Sequence, residues 1–382
     1  VRTRSSRSGH RITGRTQTRP VTTRLVAGIV AAAALAAACS SPDSGAAGGS
    51  AEHRKPYRIV LSNNNLSASW RVQMVNGIKY VAAHKYANDV KFTVRQAGES
   101  VSDHIASLQQ IIRARPRPDA ILLDASSATA LNPTVEQACK AGIVVFSFDQ
   151  VVTAPCAYKL APPVAEQARE SARWMCEATG GHGKVVLDQA IPGVPSVALS
   201  NATWRSTLAR TCPGLQIAGT YQSGFAPGPE LQAVSAVLAG HRDLSGVLSL
   251  SYCSSVITAF RNAHLPPVPT TCVAANGNAI ACESAHATCH LSALPPIIAS
   301  SALRKVVDLL GGQKQPLTQQ AVFPSYVSTA AKTGVPAAAP LPALRPGTDY
   351  FPGQSPDLVL PVTTEDLGVT PSVALTGAEG RG

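Results

Sequence analysis

Residues 119–149 read DAILLDASSATALNPTVEQACKAGIVVFSFD, and this stretch decides the fold. Asp119–Asp124 is a short apolar run of the type buried on both faces, and Ile143–Phe148 (IVVFSF) is another. Between them Asn132–Ala141 has helical spacing with Pro133 in its first turn, where the missing N–H costs nothing. A strand, a helix and a second buried strand within about 30 residues form a βαβ unit, so the strands are expected to be parallel.

The same alternation extends in both directions. Upstream lie the strand Tyr57–Ser62, the helix Ser69–Tyr86, the strand Val90–Arg95 and a helix carrying Val101, Ile105, Leu108 and Ile112 on one face. Downstream the pattern restarts with helix Pro163–Thr179, strand Lys184–Asp188, helix Ser196–Thr211, strand Leu215–Gly219 and helix Glu230–Ala239. Strand Gly246–Ser251, helix Ser254–Asn262, strand Thr271–Ala275 and helix Pro296–Leu310 complete it. The pattern predicts an α/β protein of two Rossmann-like lobes with parallel sheets, and a cleft lined by the carboxyl ends of their strands. Residues 321–382, rich in Pro and Ala, read as a C-terminal strap and disordered tail.

The chain has 33 Lys+Arg against 22 Asp+Glu, a formal charge of +11. Seven of those Arg lie before Leu25 with no acid among them, which leaves 26 basic residues against 22 acidic, or +4, for the remainder. Basicity is therefore concentrated at the N-terminus, and no nucleic-acid partner is implied. The 14-residue apolar run Leu25–Ala38 is too short to span a bilayer and suits the h-region of a secretory signal. Its continuation into Cys39 resembles a bacterial lipoprotein signal, with Ala36 where Leu is usual. That resemblance implies a signal peptide over 1–38, lipid anchoring at Cys39 on the outer face of the cytoplasmic membrane, and a flexible tether over 39–56.

With Cys39 assigned to lipid, eight cysteines remain in an exported chain. Eight allow 105 connectivities. A sequential pairing is expected, Cys139 with Cys156, Cys176 with Cys212, Cys253 with Cys272 and Cys282 with Cys289, while a zinc site from Cys282, His286, Cys289 and His290 is a rival and free buried thiols are another.

Beyond the 119–149 block, the segments SNNNLSASWRVQMVNGI (62–78), IPGVPS (191–196), GVLSLSYCSSVITAF (246–260) and VAANGNA (273–279) carry a family pattern in order and spacing. The body, about 57–312, resembles the type I periplasmic sugar-binding proteins, the ribose-binding-like receptors of ABC importers. The resemblance implies a three-crossing hinge, a first lobe of 57–153 plus 284–320, a second lobe of 154–283, and closure on a small ligand, a sugar or polyol. It further implies a monomer that docks on an ABC permease.

Trp70 matches the family's aromatic position for stacking on a sugar ring, and Asp149 the acid that accepts hydroxyl hydrogen bonds. Asn276 matches an Asp or Asn near the hinge, and Trp204 lies near a ligand segment. The competing readings are core packing for the two Trp, a cap for Asp149 and a turn for Asn276. Three family ligands are missing, since Ser200, Cys253 and Ala293 stand where Arg, Asp and Gln are usual. Either a different ligand, an amphipathic or aromatic-compatible one included, is read with Asn201, Arg205, Ser251 and Tyr252, or the register is offset by a few residues. The expected ligand set is Asn65, Ser69, Trp70, Arg71, Asp149, Asn201, Trp204, Arg205, Tyr252 and Asn276, with no metal and no cofactor. Enzyme motifs are lacking: there is no G-x-S-x-G or H-E-x-x-H, and GGHGK (180–184) has neither the spacing nor the Ser/Thr of a phosphate loop. The competing functional class is a sensor lipoprotein that signals to a membrane receptor kinase.

Overall fold

The computed structural model describes residues 56–64, 68–98, 100–328, 353–359 and 367–378. The leader, Cys39, the tether up to residue 55 and Asn65 lie outside the described residues.

The first half of the body alternates as β1 (Tyr57–Asn63), α1 (Ser69–His84), β2 (Val90–Gln96), α2 (Val101–Arg113), β3 (Ala120–Asp124), α3 (Asn132–Lys140), β4 (Val144–Phe148) and β5 (Tyr158–Ala161). The chain then continues through α4 (Val164–Ala178), β6 (His182–Asp188), α5 (Pro195–Thr211), β7 (Gly214–Tyr221), α6 (Pro227–Gly240), β8 (Gly246–Leu248) and α7 (Cys253–Asn262). It ends with β9 (Thr270–Val273), α8 (Asn276–Ser284), β10 (Cys289–Ser292), α9 (Ile298–Leu310), β11 (Thr318–Gln320), β12 (Ser325–Val327) and α10 (Pro371–Thr376).

Two six-stranded sheets result, ordered β11-β5-β4-β3-β1-β2 and β12-β10-β9-β8-β6-β7. Every pairing is parallel except β10 with β12. All five residues of β3 are buried, as its unbroken apolar run requires with helices on both faces. In the first lobe, α1 and α9 pack Met74, Ile78, Leu303 and Val306 against Ile59, Leu61, Phe146 and Phe148. In the second, α4 and α5 bring Trp174, Met175, Trp204 and Leu208 against Val185, Leu187 and Leu248.

Up to β12 the chain passes between the lobes three times, between β5 and α4, between β10 and α9, and between β11 and β12, and the described residues from Leu358 onward are back in the first lobe. These crossings shift the expected boundaries. β5 extends the first sheet, so the first changeover follows Ala161 rather than residue 153. β10 lies in the second sheet beside β9, so 284–292 belongs to the second lobe. Both strands have four residues with few large apolar side chains (YKLA and CHLS), too short for periodicity to mark them. The region past 321 also contributes structure: β12 joins the second sheet, and Leu358, Leu367, Val369 and Val373 are buried in the first lobe's core.

Four disulfides, Cys139–Cys156, Cys176–Cys212, Cys253–Cys272 and Cys282–Cys289, have Cα separations of 6.4, 5.8, 5.4 and 6.2 Å. The sulfurs of Cys253, Cys282 and Cys289 converge, but each belongs to a disulfide and offers no thiolate to zinc. His286 is exposed, and the buried His290 ring instead faces Glu170 at 3.5 Å and Trp174.

Candidate functional site

The strands of both sheets deliver their carboxyl ends to one cleft with a cavity of about 200 Å3. The first lobe contributes Trp70 and Arg71 from the start of α1, and Asp149 and Gln150 from the turn after β4. The second contributes Ser196, Ser200 and Trp204 from α5, and the run Ser249–Tyr252 after β8. Ile191, Val194, Phe225 and Leu294 supply apolar surface between these polar groups.

Arg71 organises the first-lobe wall. Its guanidinium forms an ion pair with the fully buried Asp124, donates to Asn63 Oδ1 at 3.2 Å and lies 4.0 Å from Asp149 Oδ2. Burial lowers the affinity of Arg71 for its proton, and Asp149 partly restores it. Burial likewise raises the Asp149 pKa, against the pull of Arg71 and of the hydrogen bond from Gln150 Nε2. Asp149 sits at φ 55°, a left-handed conformation that Asp adopts more readily than most residues, and one that clusters at functional sites. The Trp70 indole N–H donates to the carbonyl of Leu294 at the second crossing, which fixes the ring beside the cleft.

The lobes meet across the cleft. Gln150 Nε2 donates to Ser196 Oγ at 2.9 Å, and the Ser196 amide donates back to Gln150 Oε1 at 3.1 Å. Neither residue is in the expected ligand set. Their adjacency is tertiary, and Gln150 is marked in the sequence only by following the acid at the end of β4.

Behind the second-lobe wall lies a buried acidic network. Asp188 accepts from Ser223 Oγ at 2.7 Å and from the amides of Ala190, Ser223 and Leu250. Glu230 accepts from Ser249 Oγ, Tyr221 Oη and the Tyr252 amide. Burial, with Asp188 adding repulsion, pushes Glu230 up to about 8 despite those donors. Through Ser249, Leu250, Ser251 and Tyr252 the network shapes the turn that lines the cleft. Tyr252 faces the cavity with its hydroxyl pushed up to about 12 by burial first, then by Asp357 and Glu230.

Of the expected ligand residues, Trp70, Arg71, Asp149, Trp204 and Tyr252 line the cleft. Trp204 combines two roles, since it is buried in the second lobe's core and its indole N–H donates to Ser171 Oγ at 2.9 Å. Four others are not among the lining residues. Ser69 accepts from Gln73 one turn along α1, and Asn201 donates to the carbonyls of Asp188 and Val197, tying α5 to β6. Arg205 is exposed on α5, because helical geometry turns it about 100° from its neighbour Trp204. Asn276 is turned toward residues 354–358, its amide donating to the Leu358 carbonyl.

A periplasmic binding protein domain model matches residues 59–314 of the chain. Among solved structures, the chain is similar to an ABC transporter solute binding protein from Thermobispora bispora, with 26% identity, a TM-score of 0.64, and coverage of 70% of this chain and 84% of that one. It is also similar to the periplasmic binding component of the arabinose ABC transporter from Shewanella, bound to α- and β-L-arabinofuranose (16% identity, TM-score 0.64, 71% and 91% coverage). A third is the fructose-binding periplasmic domain of a hybrid two-component system (18% identity, TM-score 0.61, 70% and 90% coverage). The last two likenesses are of fold. No curated protein matches the chain.

Proposed function

Because the chain belongs to the periplasmic binding protein family, we propose that it is an exported lipoprotein that captures a small sugar or polyol between its lobes and delivers it to an ABC permease. The observation that carries the binding step is the joint contribution of both lobes to one cavity, with Trp70 and the Arg71–Asp149 pair on one side and Ser249–Tyr252 on the other. An aromatic face suits the C–H surface of a sugar, and fixed charged groups suit its hydroxyls, each of which would cost roughly 1–3 kcal/mol if buried unpaired. At about 200 Å3 the cavity is smaller than the roughly 300–1,000 Å3 of drug-sized pockets, so a single ring is a better fit than an oligosaccharide.

The Gln150–Ser196 pair closes the lobes over this space. A ligand touching both lobes shifts the population toward that closed form, which is the form a permease would recognise. Cys39 as lipid anchor, with the Gly/Ser-rich tether behind it, would keep a monomeric receptor at the outer face of the membrane. No helix among the described residues is long and apolar enough to cross a membrane. The protein binds and releases its ligand without turnover in this reading.

Sensing through a receptor kinase is the second reading, favoured by the likeness to the fructose-binding domain of a two-component system. Thermal-shift measurement against a panel of monosaccharides and polyols tests the shared binding step. Binding to the native state alone stabilises it by about 2.7 kcal/mol at a ligand concentration 100-fold above Kd. A rise in Tm with at least one sugar or polyol is expected, and no rise with any of them overturns the proposal. Deletion of the gene separates the two outputs: lost uptake supports delivery, and lost transcriptional response with intact uptake supports sensing.

A further inference from the structure

Residues 353–359 follow β12, the last strand of the second sheet, by more than 20 residues, and Asp357 and Val359 line the cleft. Their position is fixed from both lobes. On the first-lobe side, the buried Gln73 of α1 donates to the Asp357 carbonyl at 2.7 Å and accepts from the Val359 amide at 3.0 Å. On the second-lobe side, the Asn276 amide donates to the Leu358 carbonyl at 2.9 Å and the Gly277 amide to the Pro356 carbonyl at 2.8 Å. These two amides open α8, where no intrahelical acceptor exists for them. Ala275 and Val359 add an antiparallel bridge.

The segment turns here: the Leu358 amide donates to the Ser355 carbonyl at 3.1 Å, which places Asp357 inside a turn. Leu358 is fully buried in the first lobe's core, while Asp357 and Val359 on either side of it line the cleft. The close approach needs a glycine on α8, because a Cβ on Gly277 would lie 2.5 Å from Pro356 Cβ and 3.1 Å from its Cα. Asp357 also raises the Tyr252 hydroxyl pKa, which places its charge within electrostatic reach of that wall.

We propose that this C-terminal strap is a wall of the binding site and that Asp357 is a specificity-determining residue, accepting a hydrogen bond from a ligand hydroxyl at the cleft mouth. The inference rests on the sugar-binding reading above. Asp149 then holds the ligand from the deep, first-lobe side and Asp357 from the mouth. The strap reaches its position only when Gln73 and α8 both hold it, so ligand recognition there depends on both lobes.

The test is a calorimetric titration of wild type, Asp357→Ala, Gly277→Val and the double variant with L-arabinose, D-allose, D-fructose, D-tagatose, L-rhamnose and a set of polyols. Loss of a charge-assisted hydrogen bond is expected to weaken binding by roughly 10- to 100-fold in Asp357→Ala, and to change the rank order of the compounds. Gly277→Val, which touches no ligand, is expected to weaken the same compounds by displacing the strap, and the double variant to be no weaker than the worse single one. Amide hydrogen exchange gives a ligand-free readout: Asn276 and Gly277 are protected in wild type and lose protection in Gly277→Val. Unchanged affinities and rank order in Asp357→Ala, or fast exchange at both amides in wild type, overturn the inference and leave the sugar-binding reading standing. If no compound binds wild type, the reading falls and the inference with it.

Discussion

Replacing Arg71 by Met removes the cation that pairs with Asp124 and keeps most of the aliphatic volume. Asp124 has no exposed side-chain surface, and among the described residues Arg71 is the cation paired with it. Breaking a buried pair by removing one partner leaves an uncompensated charge and costs about 3–5 kcal/mol. For a folded body of this size each kcal/mol moves Tm by roughly 2–4 °C, so the expected drop is roughly 6–20 °C. Asp124→Asn is expected to cost less, because Arg71 keeps Asn63 and has Asp149 at 4.0 Å. The double variant Arg71→Met/Asp124→Asn removes both charges and is expected to be more stable than the sum of the single losses by about 2 kcal/mol. Thermal and urea unfolding followed by circular dichroism would measure all three. A loss below about 1 kcal/mol in Arg71→Met, or simple additivity in the double variant, would refute the buried ion pair as the support of the first-lobe wall.

Two other perturbations address the second lobe and the cross-links. Glu230 is pushed up to about 8 from an ordinary value of 4.5, so between those limits the folded state binds more protons than the unfolded state. Stability therefore falls as pH rises from about 4.5 through about 8, and Glu230→Gln should flatten that part of the profile while leaving the share due to Asp188; an unchanged slope in a pH series of Tm values rejects the assignment. The disulfides close loops of different length, 36 residues for Cys176–Cys212 and 7 for Cys282–Cys289. Chain entropy gives roughly 4 kcal/mol for the first and roughly 2 for the second, so the paired Ser variants should differ in that order. Intact mass should rise by about eight hydrogens on full reduction of the eight cysteines; a smaller change counts against complete pairing.

The sheets were legible because their strands announce themselves: Asp119–Asp124 and Ile143–Phe148 are unbroken apolar runs, buried on both faces as such runs imply. β8 and β9 are as short as β5, β10, β11 and β12, but they sit in the longer strand-like runs Gly246–Ser251 and Thr271–Ala275, whereas YKLA, CHLS, TQQ and SYV have no such run around them and were not legible. At the site, Trp70, Arg71 and Asp149 stand at the junctions of clear elements, where a strand-loop-helix pattern points to the cleft. Asn201 and Arg205, expected in place of missing family ligands, lie inside α5 and do not line the cleft, because the face of α5 that meets it is set by how it packs on α4. Asp357 shows the larger limit. It lies more than 200 residues from Asp149 along the chain, in a Pro- and Ala-rich tail without periodicity, and its segment joins the cleft through main-chain carbonyls that accept from the Gln73 side chain and from the amides of Asn276 and Gly277. Backbone pairing of that kind is nearly independent of side-chain identity, so no residue pattern marks it.

In the proposed function a sugar or polyol in the interlobe cleft is held by Asp149. Titration calorimetry of wild type and Asp149→Ala, with the compound that stabilises the wild type most, tests it directly. One site per chain is expected in wild type, and a loss of roughly 100-fold or more in Asp149→Ala, since a carboxylate accepting two hydroxyls gives up two charge-assisted hydrogen bonds. Equal affinity in the two proteins would contradict it.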